Sequence, residues 1–160
     1  MQSIFILSGS VHSGKTTRLI KWLKDKNNVQ GIISPIIDGK RFLVNISSAE
    51  KRKLEIDSFS SQGNVIKVGK YIFDKSVFEW ACKIILDAIK TNPDWLIIDE
   101  AGPLELQGEG LAKAVNKVFS ENVSHLKTNV IMVVRESLLN DFLNHYNLTE
   151  KDINYFNDSI

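Results

Sequence analysis

Two short segments hold the side chains best suited to chemistry. The first is Gly9-Ser10-Val11-His12-Ser13-Gly14-Lys15-Thr16, a Gly-x-x-x-x-Gly-Lys-Thr run with the spacing of a phosphate-binding P-loop. Gly9 and Gly14 carry no Cβ, so the backbone can curl closely around an anion. The N–H groups of the loop, Ser10, Val11, His12 and Ser13 included, then point inward as an anion nest. A helix starting at the end of the loop adds the positive end of its dipole. Lys15 is a compact point charge for the β- and γ-phosphates. The Thr16 hydroxyl is a hard oxygen ligand for Mg²⁺. Thr17 either supports the helix start or touches the α-phosphate.

The second segment is Leu96-Ile97-Ile98-Asp99-Glu100, an apolar run ending in two carboxylates. Such an acidic strand end is the expected partner of a P-loop, because it holds the metal directly or through water. Asp99 is the candidate for that role. Glu100, one residue on, is the candidate to position a water and accept its proton as a general base. Arg135 follows the apolar run Val130–Val134. It is a candidate γ-phosphate sensor or arginine finger; the alternative is a surface arginine at a helix start. Arg41 stands in the same position. Glu105 either reaches the metal shell or is a surface charge on the approach to a helix.

These residues need elements to hold them. Ile4–Leu7 reads as a strand buried on both faces, and Thr17–Lys26 as a helix. Val29–Ile37 reads as a strand broken near Pro35. Asp38-Gly39 is a turn dipeptide and Arg41–Ile46 a second strand, so the pair forms a hairpin. Residues 47–63 read as polar and irregular, with a short strand at Leu54–Ile56. Val65–Phe73 is extended and interrupted by Gly69. Lys75–Lys90 has apolar residues at helical spacing and is closed by Pro93. Trp95–Ile98 is a buried strand, Glu109–Ser120 a helix, and Asn129–Val134 a further buried strand. Helices are expected over Glu136–His145 and Thr149–Phe156.

Apolar strands alternating with helices predict an α/β fold, with a mostly parallel central sheet covered by helices on both faces. The region of about residues 29–73 is an inserted hairpin. In such folds ligands sit at the carboxyl ends of strands. Gly9 and Asp99 both follow strands, so both are expected at one crevice. The 160 residues fit a single domain, residues 1–160.

Composition narrows the partners. Lys+Arg number 20 against Asp+Glu 19, for a net charge of +1. No arginine-rich stripe or RNA-binding signature is present, so there is no strong nucleic-acid signal. No apolar run approaches a membrane span, and the N-terminus enters a strand without a basic segment or cleavage site. The single cysteine, Cys82, excludes an internal disulfide framework and fits a reducing, cytoplasmic setting. Trp22, Trp80 and Trp95 read as core or core-edge residues rather than a base-stacking platform. His125 and His145 have no metal-ligand spacing with Cys82.

With these residues in place, the chain resembles the small nucleoside-triphosphatase family that includes the thermophile NTPases and the human cancer-related nucleoside triphosphatase. Besides the P-loop, Asp99-Glu100-Ala101-Gly102-Pro103-Leu104-Glu105-Leu106 is similar to that family's Asp-Glu-Ile-Gly-Pro-Met-Glu-Leu stretch. Gly69-Lys70-Tyr71-Ile72-Phe73-Asp74 resembles its Gly-Arg-Tyr-x-Val-Asp segment. Gly31 and Gly39-Lys40-Arg41 match its glycine-started strand and Gly-x-Arg hairpin. The resemblance spans about residues 3 to 135. It implies a P-loop NTPase core of the RecA-like branch and Mg²⁺-dependent hydrolysis of ATP, GTP and other nucleoside triphosphates. By position it assigns Lys15 and Thr16 to phosphate and magnesium, Asp99 to the metal and Glu100 to the hydrolytic step. Two departures stand out. Ser10-Val11-His12-Ser13 replaces a Pro-Gly-rich loop interior, leaving His12 either a nucleotide or partner contact or loop filler. Ser34-Pro35 replaces an acidic-basic pair. Two other readings share the phosphate cradle: a kinase, which needs an acceptor pocket and usually an arginine-rich lid, and a nucleotide-responsive binding protein with little turnover that uses the 47–63 stretch.

Overall fold

A computed structural model describes residues 3–57, 63–120 and 127–160. Strand β1 (Ile4–Gly9) runs into the glycine loop, and α1 (Lys15–Leu23) follows it. Then come β2 (Val29–Ile33), β3 (Ile36–Ile37), β4 (Lys40–Asn45), β5 (Lys51–Lys53) and β6 (Glu55–Ile56). Strands β7 (Val65–Val68) and β8 (Tyr71–Asp74) precede the long helix α2 (Lys75–Thr91). The second half contains β9 (Trp95–Ala101), α3 (Pro103–Leu106), α4 (Ala112–Val118), β10 (Asn129–Arg135), α5 (Leu139–His145) and β11 (Ile153–Tyr155).

The main sheet has the order β11-β1-β10-β9-β2-β4-β3, with β5 paired to β4. From β11 to β2 the strands run parallel; β4, β3 and β5 add antiparallel pairs at one side. The expected α/β fold is therefore observed. One strand, β10, separates the glycine-loop strand β1 from the acidic strand β9. The hairpin region does not stand apart from the core: β2, its first strand, pairs in parallel with β9. Strands β6, β8 and β7 form a small second sheet.

The parallel strands are apolar throughout because both of their faces are covered. On one face Ile6, Ile98, Met132 and Val134 pack against α2 and α4, through Phe78, Ala81, Ile85 and Val115 among others. On the other face Leu7, Ile97, Ile131 and Val133 meet Leu19 and Trp22 of α1, with Phe156 beside them. Trp22 lies edge-on to Trp95, centroids 5.0 Å apart, and to Phe156 at 5.8 Å. Trp22 is buried in the core and Trp95 is half-buried at its edge, as the core or core-edge reading expects. Trp80 packs at the core edge, beneath the Arg52 guanidinium. Helix α2 begins where Asp74 accepts a 2.9 Å hydrogen bond from the Ser76 N–H, an N-cap that satisfies one free helix donor. Among the described residues, no helix is long and apolar enough to cross a membrane.

Two expectations are corrected. Thr149–Phe156 is not a helix. Asp152 Oδ2 accepts from the Thr149 N–H at 2.7 Å and its hydroxyl at 2.6 Å, closing a turn instead. Ile153–Tyr155 then pairs in parallel with Ile4–Ile6, which gives the open edge of β1 its hydrogen-bond partners. Ile153 and Phe156 look like one helical face in sequence, yet they pack on opposite faces of the sheet. Residues 47–57 are also more ordered than their polarity suggests, because Lys51–Lys53 pairs with Phe42–Val44; Glu55–Ile56 pairs with Ile72–Phe73, within the short strand expected at Leu54–Ile56. Residues 58–62 of the 47–63 stretch, and His125, lie outside the described residues.

Candidate active site

The glycine loop connects a buried strand to a helix N-terminus. Gly14 sits immediately before α1 with φ 82°, a left-handed conformation that costs a glycine little. His12 also has a positive φ, 58°. The Ser13 N–H donates to the Ser10 carbonyl at 3.2 Å, which closes the loop. Lys15 folds back across it. Its Nζ donates to the carbonyls of Ser10 (2.6 Å) and Gly9 (3.2 Å) and to Ser13 Oγ (3.3 Å). Desolvation lowers the pKa of the ammonium, while the Glu100 and Asp99 carboxylates raise it.

The acidic segment is shaped by a β-bulge. Along β10 two residue steps lead from Met132 to Val134. The facing stretch of β9 takes three, from Ile98 to Ala101. The extra residue falls at Asp99-Glu100, and Glu100 absorbs it with φ 73°. A left-handed backbone at a non-glycine residue is unfavourable and persists only where its surroundings hold it. Its effect is to re-aim two consecutive carboxylates toward the cleft.

Asp99 is 1% exposed. Its Oδ2 accepts from Thr16 Oγ1 at 2.7 Å and from the Ser34 N–H at 2.8 Å. Desolvation raises its pKa to about 6, and those two hydrogen bonds oppose the rise. Glu100 sits between two guanidiniums. Arg41 Nη1 donates to Glu100 Oε2, and Arg135 Nη2 to Oε1 at 3.2 Å. Arg135 ends β10 directly opposite Gly9 of β1. Arg41 comes from β4, where its Nη1 also donates to Ser34 O (3.1 Å) and Ser34 Oγ (3.2 Å).

Sequence reasoning missed Ser34, which joins the two halves of the site. It is 2% exposed; its N–H is spent on Asp99 and its oxygens accept from Arg41. The departure from the acidic-basic pair at Ser34-Pro35 is the sequence signal at that position. Gly31 is what allows Ser34 to arrive there. A Cβ at Gly31, whose φ is +119°, would lie 2.0 Å from the Ile97 carbonyl oxygen. Only a glycine lets β2 approach β9 so closely. Glu105 is not a surface charge. It is 3% exposed and accepts from the Gly102 N–H at 2.7 Å and the Leu111 N–H at 2.9 Å. Burial pushes its pKa up to about 7. Its job is to pin the turn that follows the bulge. Cys82 is buried, and burial raises its thiol pKa, the opposite of an activated nucleophile.

A cleft of about 360 Å³ collects the predicted residues. Lys15, Thr16, Asp99, Glu100, Arg41 and Arg135 line it, joined by loop residues Val11 to Gly14 and by Thr17. Gly9 and Ser10 do not line it; they contribute the carbonyls that hold Lys15. The donor chemistry fits a magnesium ion. Thr16 and Asp99 offer hard oxygens within hydrogen-bond distance of each other, and Asp99 forms no ion pair with a described cation. Among the described residues no group of three or more His, Cys, Asp or Glu side chains converges as a metal cage. One carboxylate and one hydroxyl suit Mg²⁺, which keeps much of its water shell.

The family model described as NTPase matches residues 4–159. The chain is 32% identical over 134 residues to the nucleoside-triphosphatase THEP1 of Archaeoglobus fulgidus, covering 76% of each chain. Its fold matches the crystal structure of THEP1 from the hyperthermophile Aquifex aeolicus with a TM-score of 0.69, at 20% identity, covering 96% of this chain and 87% of that one.

Proposed function

This chain belongs to the NTPase family, and from that membership we propose that it is a Mg²⁺-dependent cytoplasmic enzyme that hydrolyses ATP, GTP and other nucleoside triphosphates to diphosphate and phosphate. That it is a nucleoside-triphosphatase follows from the family. The metal, the substrate range, the compartment and the residue roles are the proposal. The observation that carries it is the 2.7 Å hydrogen bond between Thr16 and Asp99, which unites two segments 83 residues apart at one cleft.

The loop N–H groups and the α1 N-terminus bind the phosphates, with Lys15 at the β- and γ-positions. Thr16 and Asp99 would hold the magnesium ion, which would supply neutralisation of the triphosphate's charge. Glu100 orients the attacking water and takes its proton. Arg41 and Arg135 fix the Glu100 carboxylate and face the same cleft, where they stabilise charge on the transferring phosphoryl group. The loop and acidic strand contact phosphates and metal rather than the base, which favours broad use of nucleoside triphosphates.

The test is phosphate release from ATP, GTP, CTP and UTP, with and without Mg²⁺, in the wild type, Lys15→Ala and Glu100→Gln. Lys15→Ala loses triphosphate binding or turnover. Glu100→Gln keeps Mg-nucleotide binding and loses about 10²–10⁴-fold in hydrolysis. An unchanged single-turnover rate in Glu100→Gln moves the base elsewhere.

A further inference from the structure

Beyond Glu100 the cleft opens into a second cavity of about 380 Å³, within the size range of small-molecule sites. Its walls are largely apolar: Leu43, Leu54, Val68, Phe73, Phe78 and Leu104 line it. Among the described residues only five large hydrophobics are well exposed, and three of them, Val11, Ile36 and Tyr71, also line this space. An apolar interior bordered by exposed apolar side chains is a surface that gains by being covered. Eight lining residues, including Val11, Ile36, Asp99, Glu100 and both arginines, are shared with the P-loop cleft.

The P-loop reading of the neighbouring cleft sets which end this is. A P-loop lays the triphosphate from the start of its helix toward Lys15 and the acidic strand. Thr17 and Ile20 of α1 border only the P-loop cleft, so the nucleoside leaves on their side. The second cavity lies past Glu100, on the γ-phosphate side. That is where a phosphoryl acceptor must sit.

Its charge says what kind of acceptor. Four carboxyl groups line it, Glu55, Asp99, Glu100 and Glu105, against the guanidiniums of Arg41 and Arg135. Both guanidiniums are already bonded to Glu100. Glu55 is likewise paired, with Lys40 at 3.4 Å, so an anionic acceptor, such as a phosphorylated one, would have to compete with Glu100 for both guanidiniums. We infer that this cavity is an acceptor site for a small uncharged alcohol with an apolar body, whose hydroxyl takes the γ-phosphoryl group in place of water. The inference rests on the nucleoside-triphosphatase reading of the neighbouring cleft. The acceptor oxygen bonds to the γ-phosphorus. The bond from that phosphorus to the β–γ bridging oxygen breaks, and the nucleoside diphosphate leaves with the electron pair. The hydroxyl proton passes to the Glu100 carboxylate.

The experiment incubates the full chain with MgATP and benzyl alcohol, cyclohexylmethanol or naphthylmethanol, with phosphorus NMR and mass spectrometry as readouts. A phosphate monoester is expected, with ADP formed equal to phosphate plus ester. Val68→Phe fills the cavity, and Tyr71→Asp places a charge on its exposed rim. Neither residue lines the P-loop cleft. Each is expected to lower ester formation by about tenfold or more while phosphate release stays within about twofold. The rim variant keeps the test valid if Val68→Phe does not fold. ADP formation without ester from any of the three alcohols overturns the acceptor site and leaves the hydrolase reading intact. Ester formation unchanged in both variants also overturns it. Absence of ADP formation overturns both.

Discussion

Asp99→Asn separates what the buried carboxylate costs the fold from what it does for the site. Asp99 is 1% exposed and keeps two hydrogen bonds, from Thr16 and Ser34. Asparagine retains an acceptor oxygen for both and removes the charge. In the folded chain the carboxyl pKa is displaced from 3.8 to about 6, which corresponds to about 3 kcal/mol. Because the folded value lies above the unfolded one, folding penalises the ionised form. The penalty is absent below about pH 3.8, grows as pH rises through about 6, and is fully present above it. The asparagine of the variant never ionises. The stability difference between variant and wild type therefore shifts in the variant's favour by about 3 kcal/mol between acid and neutral pH. At neutral pH that is roughly 6–12 °C in Tm for a chain of this size. The assay is urea unfolding of both proteins from about pH 4 to 8 in EDTA. In parallel, Mg²⁺-dependent ATP turnover of the variant falls by at least about 100-fold. A difference that stays constant with pH, or moves against the variant as pH rises, refutes the desolvation argument. A variant with intact Mg²⁺ dependence refutes the metal role.

Arg135→Ala removes one of the two guanidiniums on Glu100 and is expected to lower kcat by about 10³-fold with a smaller change in KM, measured under steady-state conditions with MgATP. Arg41→Ala is expected to do the same and, since Arg41 also holds Ser34, to broaden the Ser34 amide resonance. Glu105 has its pKa raised from 4.5 to about 7. The stability it contributes is full below about pH 4.5 and is lost as pH rises through about 7, by about 3 kcal/mol. Glu105→Gln should flatten that part of the stability–pH curve in urea melts, and an unchanged curve would falsify this assignment.

The glycine loop of the candidate site was legible in the amino-acid sequence as a strand–loop–helix unit. Gly9 to Thr16 is a local motif whose geometry depends on residues adjacent in the chain, and a buried strand before it with a helix after it left one arrangement. Asp99 and Glu100 were legible as chemistry and as a strand end. The parallel sheet was legible because apolar strands alternate with helices. Other features depended on contacts between distant segments, which periodicity does not encode. The bulge that re-aims Asp99 and Glu100 exists only because β9 pairs with β10 out of step. Ser34 gained its role when Gly31 let β2 pack against the Ile97 backbone. Arg41 and Arg135, indistinguishable in sequence from surface arginines, became site residues by meeting at Glu100. Ile153–Tyr155 became a strand because the edge of β1 offered unpaired backbone groups. Sequence supplied the reactive groups and their local scaffolds; the tertiary structure set which of them share a low-dielectric cleft, because only packing across the sheet brings distant charges within hydrogen-bond range.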